Sequence, residues 1–209
     1  MSTDKIIIGI DLAWKVGRKS FGVMVSEDLS IQTTFSFYNL EQLENTLDSH
    51  RKILHNIFID APLHLNTREK FRSCDRAFMS RGYPILPFNK KILRQRYLPY
   101  TGFLVRSFLE SRGCKYCGNF NEPSLFEVYA FGNAMVVFGI KSKKQFLKNW
   151  KNLLKEFGFM NLNLLKNTHE IDALLCTLPY FTETREFGVF TKFVKSGYCL
   201  FVPMRGRDA

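Results

Sequence analysis

The stretch Ile6–Trp14 reads I-I-I-G-I-D-L-A-W, an apolar run that ends on the carboxylate of Asp11. A run without polar side chains on either face is typical of a central strand that is covered on both sides. Burying a charge is costly unless the charge is paired or binds a metal. Taken alone, the stretch leaves two interpretations of Asp11 open: a cap for the loop after the strand, or a ligand for a cation.

Two further strands and a helix follow the opening stretch. Ser20–Ser26 and Ile31–Tyr38 have strand-like sequences separated by short turns, which predicts an antiparallel meander of three strands. Apolar and polar side chains alternate in Ile31–Tyr38, as is typical of an edge strand with one face in water. After Asn39 leucines recur at helical spacing, and Asn39 with Gln42 resembles a capping arrangement, so a helix is expected next.

A second apolar run stops on a second aspartate, Asp60, in Asn56–Pro62 (N-I-F-I-D-A-P). A strand reached through a helix is most simply parallel to its predecessor, by a right-handed crossover. If the two runs are neighbours, Asp11 and Asp60 emerge side by side at the carboxyl ends of strands about 5 Å apart. Two carboxylates at that separation repel each other, so one takes a proton or a cation lies between them. Ligands also bind at this edge of open α/β sheets.

The segment 64–120 interleaves basic and aromatic residues, and Pro84, Pro87 and Pro99 divide it into short pieces. We predict a largely helical insertion made of short helices and loops. Cations among aromatic rings suit a strand of nucleic acid, with phosphates on the cations and bases on the rings. The aromatic residues can equally form a small core of the insertion itself.

Within this insertion, Cys114 and Cys117 form a lone C-x-x-C. A closed structural zinc site needs four ligands, and no second C-x-x-C or histidine pair follows. We therefore interpret the two cysteines as loop thiols in a reducing compartment rather than as a zinc site.

Composition indicates a soluble globular protein. The 209 residues are 45% hydrophobic and 23% charged, enough for one sizeable core or for a core with a large insertion. No apolar run approaches the roughly eighteen residues of a membrane span, and Met1–Lys5 shows no signal-peptide pattern, so we expect a cytoplasmic protein without a membrane partner. The net charge of +11, from 30 Lys and Arg against 19 Asp and Glu, favours a polyanionic partner, although a basic surface can also serve solubility alone.

Besides a helix at 168–180, the second half of the chain is predicted to contain a strand, an amphipathic helix and a hairpin. Leu125–Ala130 is interpreted as a strand whose one charge, Glu127, could also face water at an edge. Lys141–Gly158 predicts a basic amphipathic helix, and its lysine face is interpreted as solvated. Phe187–Phe193 and Tyr198–Pro203 predict a closing hairpin.

The segment Thr168–Tyr180 predicts a late helix with Thr168 as its cap. His169 and Asp172 are three residues apart and therefore share a face of this helix. A structural interpretation is also available for both residues, since Asp172 can stabilise the helix dipole in the first turn and His169 can be a surface residue.

This order of elements resembles the ribonuclease H-like fold. The expected structure is an α/β domain over residues 1–209, with a mixed sheet of a three-stranded antiparallel meander plus parallel strands, flanking helices, the insertion and the hairpin. More narrowly, five motifs resemble an uncharacterised domain-of-unknown-function family of predicted ribonuclease H-like nucleases. They are G-I-D-L-A-W at Gly9–Trp14, I-D-A-P-L at Ile59–Leu63, R-S-C-D-R at Arg72–Arg76, E-V-Y at Glu127–Tyr129 and H-E-I-D-A-L at His169–Leu174. The last is also similar to the final helix of Holliday-junction resolvases, and Ala130 departs from the proline that the family more usually shows there.

The resemblance implies a nuclease with four acidic residues, Asp11, Asp60, Glu127 and Asp172. Two divalent cations about 4 Å apart would activate water and stabilise the leaving oxygen of a phosphodiester. Carboxylate oxygens favour Mg²⁺ or Mn²⁺ over zinc. We expect Asp11 to bridge both ions, Asp60 and Asp172 to complete one each, and Glu127 to bind an ion or its water.

Other residues are expected to handle protons and the substrate, which would be DNA or RNA. His169 would orient water or move a proton. Arg68, Arg72 and Arg76 would bind the substrate; the last two would steady the scissile phosphate while Asp75 orients them.

Three other functions are possible on the same fold. G-I-D-L also opens sugar kinases and chaperone ATPases, but those need two such domains and a glycine-rich phosphate loop, whereas Leu12, Ala13 and Trp14 follow Asp11 in a chain of 209 residues. The protein could instead be a non-catalytic nucleic-acid-binding module. It could also hydrolyse or sense a small phosphorylated ligand, with the insertion as a lid.

Overall fold

A mixed β-sheet extends from the first strand of the chain to the last. The structure is a computed structural model that describes residues 5–49, 55–64, 72–83, 99–185, 190–195 and 198–203. Within these ranges the strands are β1 (Ile6–Asp11), β2 (Ser20–Ser26), β3 (Ile31–Phe37), β4 (His55–Asp60), β5 (Lys115–Tyr116), β6 (Ser124–Glu127), β7 (Phe190–Lys195) and β8 (Tyr198–Pro203). Their order across the sheet is β3-β2-β1-β4-β6-β8-β7, with β5 paired to β6.

The pairing of the strands confirms the predicted mixed sheet. β1, β2 and β3 form an antiparallel meander, β4 is parallel to β1, and β6 is parallel to β4. β3 lies at the edge, with Ile31 and Phe37 buried and Gln32 and Ser36 exposed. β7 and β8 form the expected hairpin. Residues 187–189 of its predicted first strand lie outside the described part of the chain.

Seven helices surround the sheet in the described ranges. They are α1 (Leu40–Asp48), α2 (Ser73–Met79), α3 (Thr101–Ser111), α4 (Ala130–Phe138), α5 (Lys143–Phe157), α6 (Thr168–Cys176) and α7 (Leu178–Thr184). The predicted cap of α1 is confirmed, since the Asn39 side chain accepts a hydrogen bond from the N–H of Gln42 at 2.9 Å. None of these helices combines the length and the apolarity that crossing a membrane requires.

Helix α4 corrects the prediction that Leu125–Ala130 is a strand. The strand β6 ends at Glu127, and Ala130 is already the first residue of α4. The helix sequence A-F-G-N-A-M-V-V-F is apolar almost all round, so no polar face marks a helical period that could identify it.

The late helix predicted over Thr168–Tyr180 is in fact two helices, α6 and α7. Pro179 stands in the first turn of α7, where its missing N–H removes no hydrogen bond of the helix. Asn167, and not Thr168, is the cap of α6, because its side chain accepts from the N–H groups of His169 and Glu170, both at 3.0 Å.

Alternate residues of the central strands face two different layers. Ile7, Phe58 and Phe126 pack in the core shared with α4, α5, α6 and α7. Ile8, Ile57, Ile59 and Leu125 pack in a second core, with Leu43 and Leu47 of α1 and Val105 and Leu109 of α3. Successive side chains of a strand point to opposite faces, so the parity of a residue decides which layer its side chain enters.

Helix α6 packs directly on β1 at Gly9. A Cβ atom at Gly9 would lie 1.9 Å from the carbonyl oxygen of Ala173 and 3.0 Å from a methyl group of Thr177. Any larger residue at this position would push the helix off the strand. Because Asp172 precedes Ala173, this close packing brings Asp172 to the end of β1.

The predicted insertion at 64–120 is described at 64, 72–83 and 99–120, where it forms α2, α3 and β5. Cys114 lies there as a free, partly buried thiol, and burial raises its pKa. Cys117 is disulfide-bonded. The prediction of two free loop thiols is therefore correct for Cys114 and wrong for Cys117.

Candidate functional site

Asp11 and Asp60 are paired residues at the ends of the parallel strands β1 and β4. Paired residues of a parallel ladder point to the same face, here the face covered by α6. Burial raises the pKa of Asp60 well above its ordinary value, and the nearby carboxylates of Asp11 and Asp172 raise it further. The N–H of Ala130, at the start of α4, donates to the Asp60 carboxylate and lowers the pKa in part. Two acids are thus held side by side against their mutual repulsion.

Asp172 joins them from α6, with its side chain 12% exposed. Burial raises its pKa, while the ammonium group of Lys143, whose Nζ lies 2.5 Å from Oδ2, lowers it. Lys143 is the first residue of α5. One of the three aspartates is therefore already neutralised by a cation of the chain.

His169 lies one helical turn before Asp172 and reaches Asp11. Its Nδ1 is 2.7 Å from Oδ2 of Asp11, and its ring stacks on Phe21 with the centroids 5.0 Å apart and an angle of 8° between the planes. Since the side chain is 60% exposed and Nδ1 faces a carboxylate, Nε2 is the ring nitrogen that a water or a substrate can reach. Two contacts therefore fix the orientation of a solvent-accessible imidazole.

Glu127 does not join the aspartates, because its side chain points to the other face of the sheet. In the ladder it pairs with Ile59, the residue before Asp60. Its Oε1 forms an ion pair with Nη1 of Arg72 at 2.6 Å, and its Oε2 accepts the N–H of Leu63 at 2.8 Å. Burial raises the pKa of Glu127 to about 7, although Arg72 acts in the opposite direction.

Arg72 is buried, with its side chain 3% exposed, at the start of α2. Its Nε and Nη2 donate to the two oxygens of Asp75, at 2.9 Å and 2.5 Å. The interaction with Asp75 that the sequence suggested is therefore present, but Glu127 is a second partner. With two carboxylates on one guanidinium, Arg72 has no surplus charge for a phosphate. Arg76 lies exposed one turn further along α2, and Arg68 is outside the described residues.

The chain as described contains one set of three ligand atoms that lie within 4.8 Å of one another, in Cys74, Asp75 and Glu127. Arg72 already contacts both carboxylates of this set. Burial raises the pKa of the Cys74 thiol, and so keeps it protonated. The set is better explained as an arginine-centred ion cluster than as a metal site.

A pocket of about 170 Å³ opens at the carboxyl ends of the central strands. Its walls include Asp11, Asp60, Arg72 and Glu127 together with the aromatic side chains of Trp14 and Tyr129. Burial raises the pKa of Tyr129, and Asp60 and Asp172 raise it further, so the phenol stays protonated beside the acids. The carboxylates of Asp11 and Asp60 therefore line a cleft with aromatic walls, and Asp172 and His169 are not among its lining residues.

Besides the wall residues Trp14 and Tyr129, Phe21 and Lys143 are residues of this site that are absent from the predicted set. Phe21 pairs with Asp11 in the antiparallel ladder of β1 and β2, so the register of the meander would have been the signal for it. Lys143 was assigned to a solvated lysine face, and no local pattern indicates its contact with Asp172.

Comparison with protein-family models, curated proteins and solved structures finds no match.

Proposed function

We propose that the protein is a metal-dependent nuclease that hydrolyses phosphodiester bonds in nucleic acid, on a ribonuclease H-like fold. The observation that carries this proposal is the pairing of Asp11 with Asp60 at the carboxyl ends of adjacent parallel strands. The delivery of Asp172 to the same face by α6, and the order of an antiparallel meander followed by parallel strands, support it.

The three aspartates fit a divalent cation by their chemistry and charge. Carboxylate oxygens are the ligands that Mg²⁺ and Mn²⁺ prefer. Asp172 contacts Lys143 and Asp11 contacts His169, whereas Asp60 forms no ion pair within the described ranges. Burial raises the pKa of Asp60, and the charges of Asp11 and Asp172 raise it further. Asp11, Asp60 and Asp172 would hold the Mg²⁺ or Mn²⁺ ions, which supply an activated water and stabilise the leaving oxygen.

Glu127, which the resemblance includes among the ligands, is left out of the proposed set. Its two oxygens are engaged by Arg72 and by the N–H of Leu63, on the far side of the sheet from Asp60. The ion cluster of Arg72, Asp75 and Glu127 instead ties the start of α2 to the end of β6. Its proposed role is to build one wall of the pocket rather than to bind the scissile phosphate.

His169 is the residue best placed to move a proton. Asp11 and Phe21 hold its ring, and its exposed side chain leaves Nε2 reachable from solvent. A fixed imidazole can take a proton from water or give one to the leaving oxygen, and such proton transfer typically contributes about 10²-fold to 10⁴-fold in rate.

The test is cleavage of DNA and RNA oligonucleotides, single-stranded, duplex and branched, by the purified chain with Mn²⁺. We expect cleavage that chelation abolishes and that Asp11→Asn reduces to background. Lys192→Gln, on β7, is the matched surface control and should cleave like the original chain. Cleavage that persists undiminished in Asp11→Asn would show that another site, or a contaminant, is responsible.

A second function, non-catalytic binding of nucleic acid, is favoured by one observation. Lys143 places a cation of the chain on Asp172, so the cluster is partly neutralised without any external ion. In that case salt-sensitive binding survives Asp11→Asn, and neither protein cleaves. A pocket for small phosphorylated ligands is less well supported, because about 170 Å³ is below the roughly 300 to 1,000 Å³ of typical ligand sites.

A further inference from the structure

Helix α5 carries a row of lysines on one exposed face. Lys144, Lys148, Lys151 and Lys155 follow the spacing i, i+4, i+7 and i+11, which returns to the same side of a helix at each turn. All four side chains are exposed. At 1.5 Å per residue these four residues, which we call the lysine row, extend over about 16 Å. The one acid of α5, Glu156, lies off this row.

The lysine row begins one residue after Lys143, whose amine contacts Asp172. The row therefore leads away from the aspartates along the axis of α5. A lysine face that serves only solubility could lie anywhere on the surface. A surface that guides a polyanion to the aspartates has to begin beside them, as the lysine row does.

The opposite side of α5 fixes the helix to the protein core. Phe146 and Leu154 are fully buried, and Leu147, Trp150 and Leu153 pack against the same core. The side chain of Ser142 caps the helix by accepting the N–H of Gln145 at 3.2 Å. The lysine row is thus presented on a rigid element, at a constant position relative to Asp172.

We propose that the lysine row binds the phosphate backbone of a nucleic-acid strand whose scissile bond lies at Asp11, Asp60 and Asp172. Phosphates of one strand recur about every 3.4 Å, so about 16 Å corresponds to roughly five phosphates. The inference rests on the proposed nuclease function, and it names the surface that takes the substrate beyond the cleaved bond. It also predicts that binding depends on the backbone and not on the base sequence, because lysines on phosphates carry no sequence information.

An anionic membrane surface would also attract lysines, but α5 does not suit it. A helix that binds a membrane surface inserts its apolar face between the lipids. The apolar face of α5 is already used in the core. Nucleic acid is therefore the partner that the observations favour.

The experiment measures binding to labelled single-stranded and duplex oligonucleotides in EDTA, from about 50 to about 200 mM salt. Lys148→Gln with Lys151→Gln should weaken binding on the order of tenfold at the lower salt concentration. The slope of log affinity against log salt should become shallower by about 0.9 on duplex DNA, or about 0.7 on single strands, for each phosphate that the variant no longer neutralises. Lys192→Gln is the control outside both the lysine row and segment 64–120, since it removes an exposed positive charge elsewhere and should leave both values unchanged.

Three outcomes would overturn the inference. The first is that the lysine-row variant binds with the affinity and salt slope of the original chain. The second is that affinity falls equally in the control, which would indicate diffuse charge. The third is that the variant loses binding to phosphatidylserine vesicles while its binding to nucleic acid is unchanged.

Thermal unfolding checks that both variants are folded. Because binding is measured without metal, the result is independent of the cleavage assay. A chain that never cleaves can still support the inference, and a chain that cleaves without using the lysine row refutes the inference alone.

Discussion

Gly9 of β1 lies against the carbonyl oxygen of Ala173 in α6, so closely that a Cβ atom at residue 9 would be 1.9 Å from that oxygen. This contact sets the distance between strand and helix. It therefore also sets the position of Asp172 relative to Asp11, since each aspartate is at most two residues from the contact. The proposed site depends on a residue that has no side chain.

Gly9→Ala should destabilise the fold by about 3 kcal/mol or more, at or above the usual range for overpacking, because the colliding atom belongs to the backbone and cannot rotate away. Gly113→Ala is the control. Its φ is +90° with open space around the Cβ position, so only backbone strain of about 1 to 2 kcal/mol is expected. Denaturant unfolding measures both, and equal losses would contradict the proposed packing role of Gly9.

Asp60→Asn should stabilise the metal-free protein at neutral pH while abolishing cleavage. The folded pKa of Asp60 is raised by burial and by Asp11 and Asp172, so its contribution to stability is lost as the pH rises through that pKa. An amide of the same shape removes the repulsion, and the melting temperature in EDTA should rise by a few degrees. The gain should disappear in acid, where the aspartic acid is protonated. A lower melting temperature at neutral pH would show that the acids do not repel each other.

Arg72→Met should be strongly destabilising at neutral pH and above. Removing the guanidinium leaves the carboxylates of Asp75 and Glu127 buried without a counter-charge, a change that typically costs about 3 to 5 kcal/mol. The pKa of Glu127 is about 7 even with Arg72 present. Without Arg72 it rises further, so Glu127 becomes protonated as the pH falls and the loss should be smaller at mildly acidic pH.

Arg76→Met, on the exposed side of α2, is the matched control for Arg72→Met and should change stability by about 0.5 kcal/mol or less. Unfolding of the two variants and the original chain across this pH range is the measurement. A pH-independent loss in Arg72→Met would contradict the ion-cluster explanation.

His169→Gln should lower metal-dependent cleavage by about 10²-fold to 10⁴-fold, because proton transfer at Nε2 is lost. Affinity for uncleaved nucleic acid in EDTA should be unchanged. Phe21→Leu, which removes the stacked ring but leaves His169, should cause a smaller loss in the same direction. His64→Gln is the control, since His64 lies beside Arg106 and not at the aspartates. Cleavage by His169→Gln at the original rate would remove His169 from the proposed mechanism.

Much of the sheet could be predicted from local patterns. Apolar runs that stop on Asp11 and Asp60, with a helix between them, were sufficient to predict two neighbouring parallel strands with both acids at their ends. The alternation in β3 likewise identified an edge strand. Helix α4 was not predicted, because a helix that is apolar almost all round shows no helical period in its sequence.

The position of Glu127 shows why the site was harder to predict than the sheet. Both Asp60 and Glu127 follow apolar residues at the end of a strand, so the local sequence does not show that their side chains lie on different faces of the sheet. The register that pairs Glu127 with Ile59 turns its side chain to the opposite face, where Arg72 lies. A shift of one residue in register would have reversed this outcome.

The sequence by itself determined the meander, the helix after it and the parallel strand that ends on Asp60, because the periods of two and 3.6 residues are local properties of the chain. The tertiary structure alone decided which charges neutralise each other. Lys143 meets Asp172 across 29 residues and His169 meets Asp11 across 158, and both contacts depend on where α5 and α6 pack on the sheet. Ion pairing falls off within a few ångströms, so these partners are fixed by packing at Gly9 and in the core rather than by any spacing in the sequence.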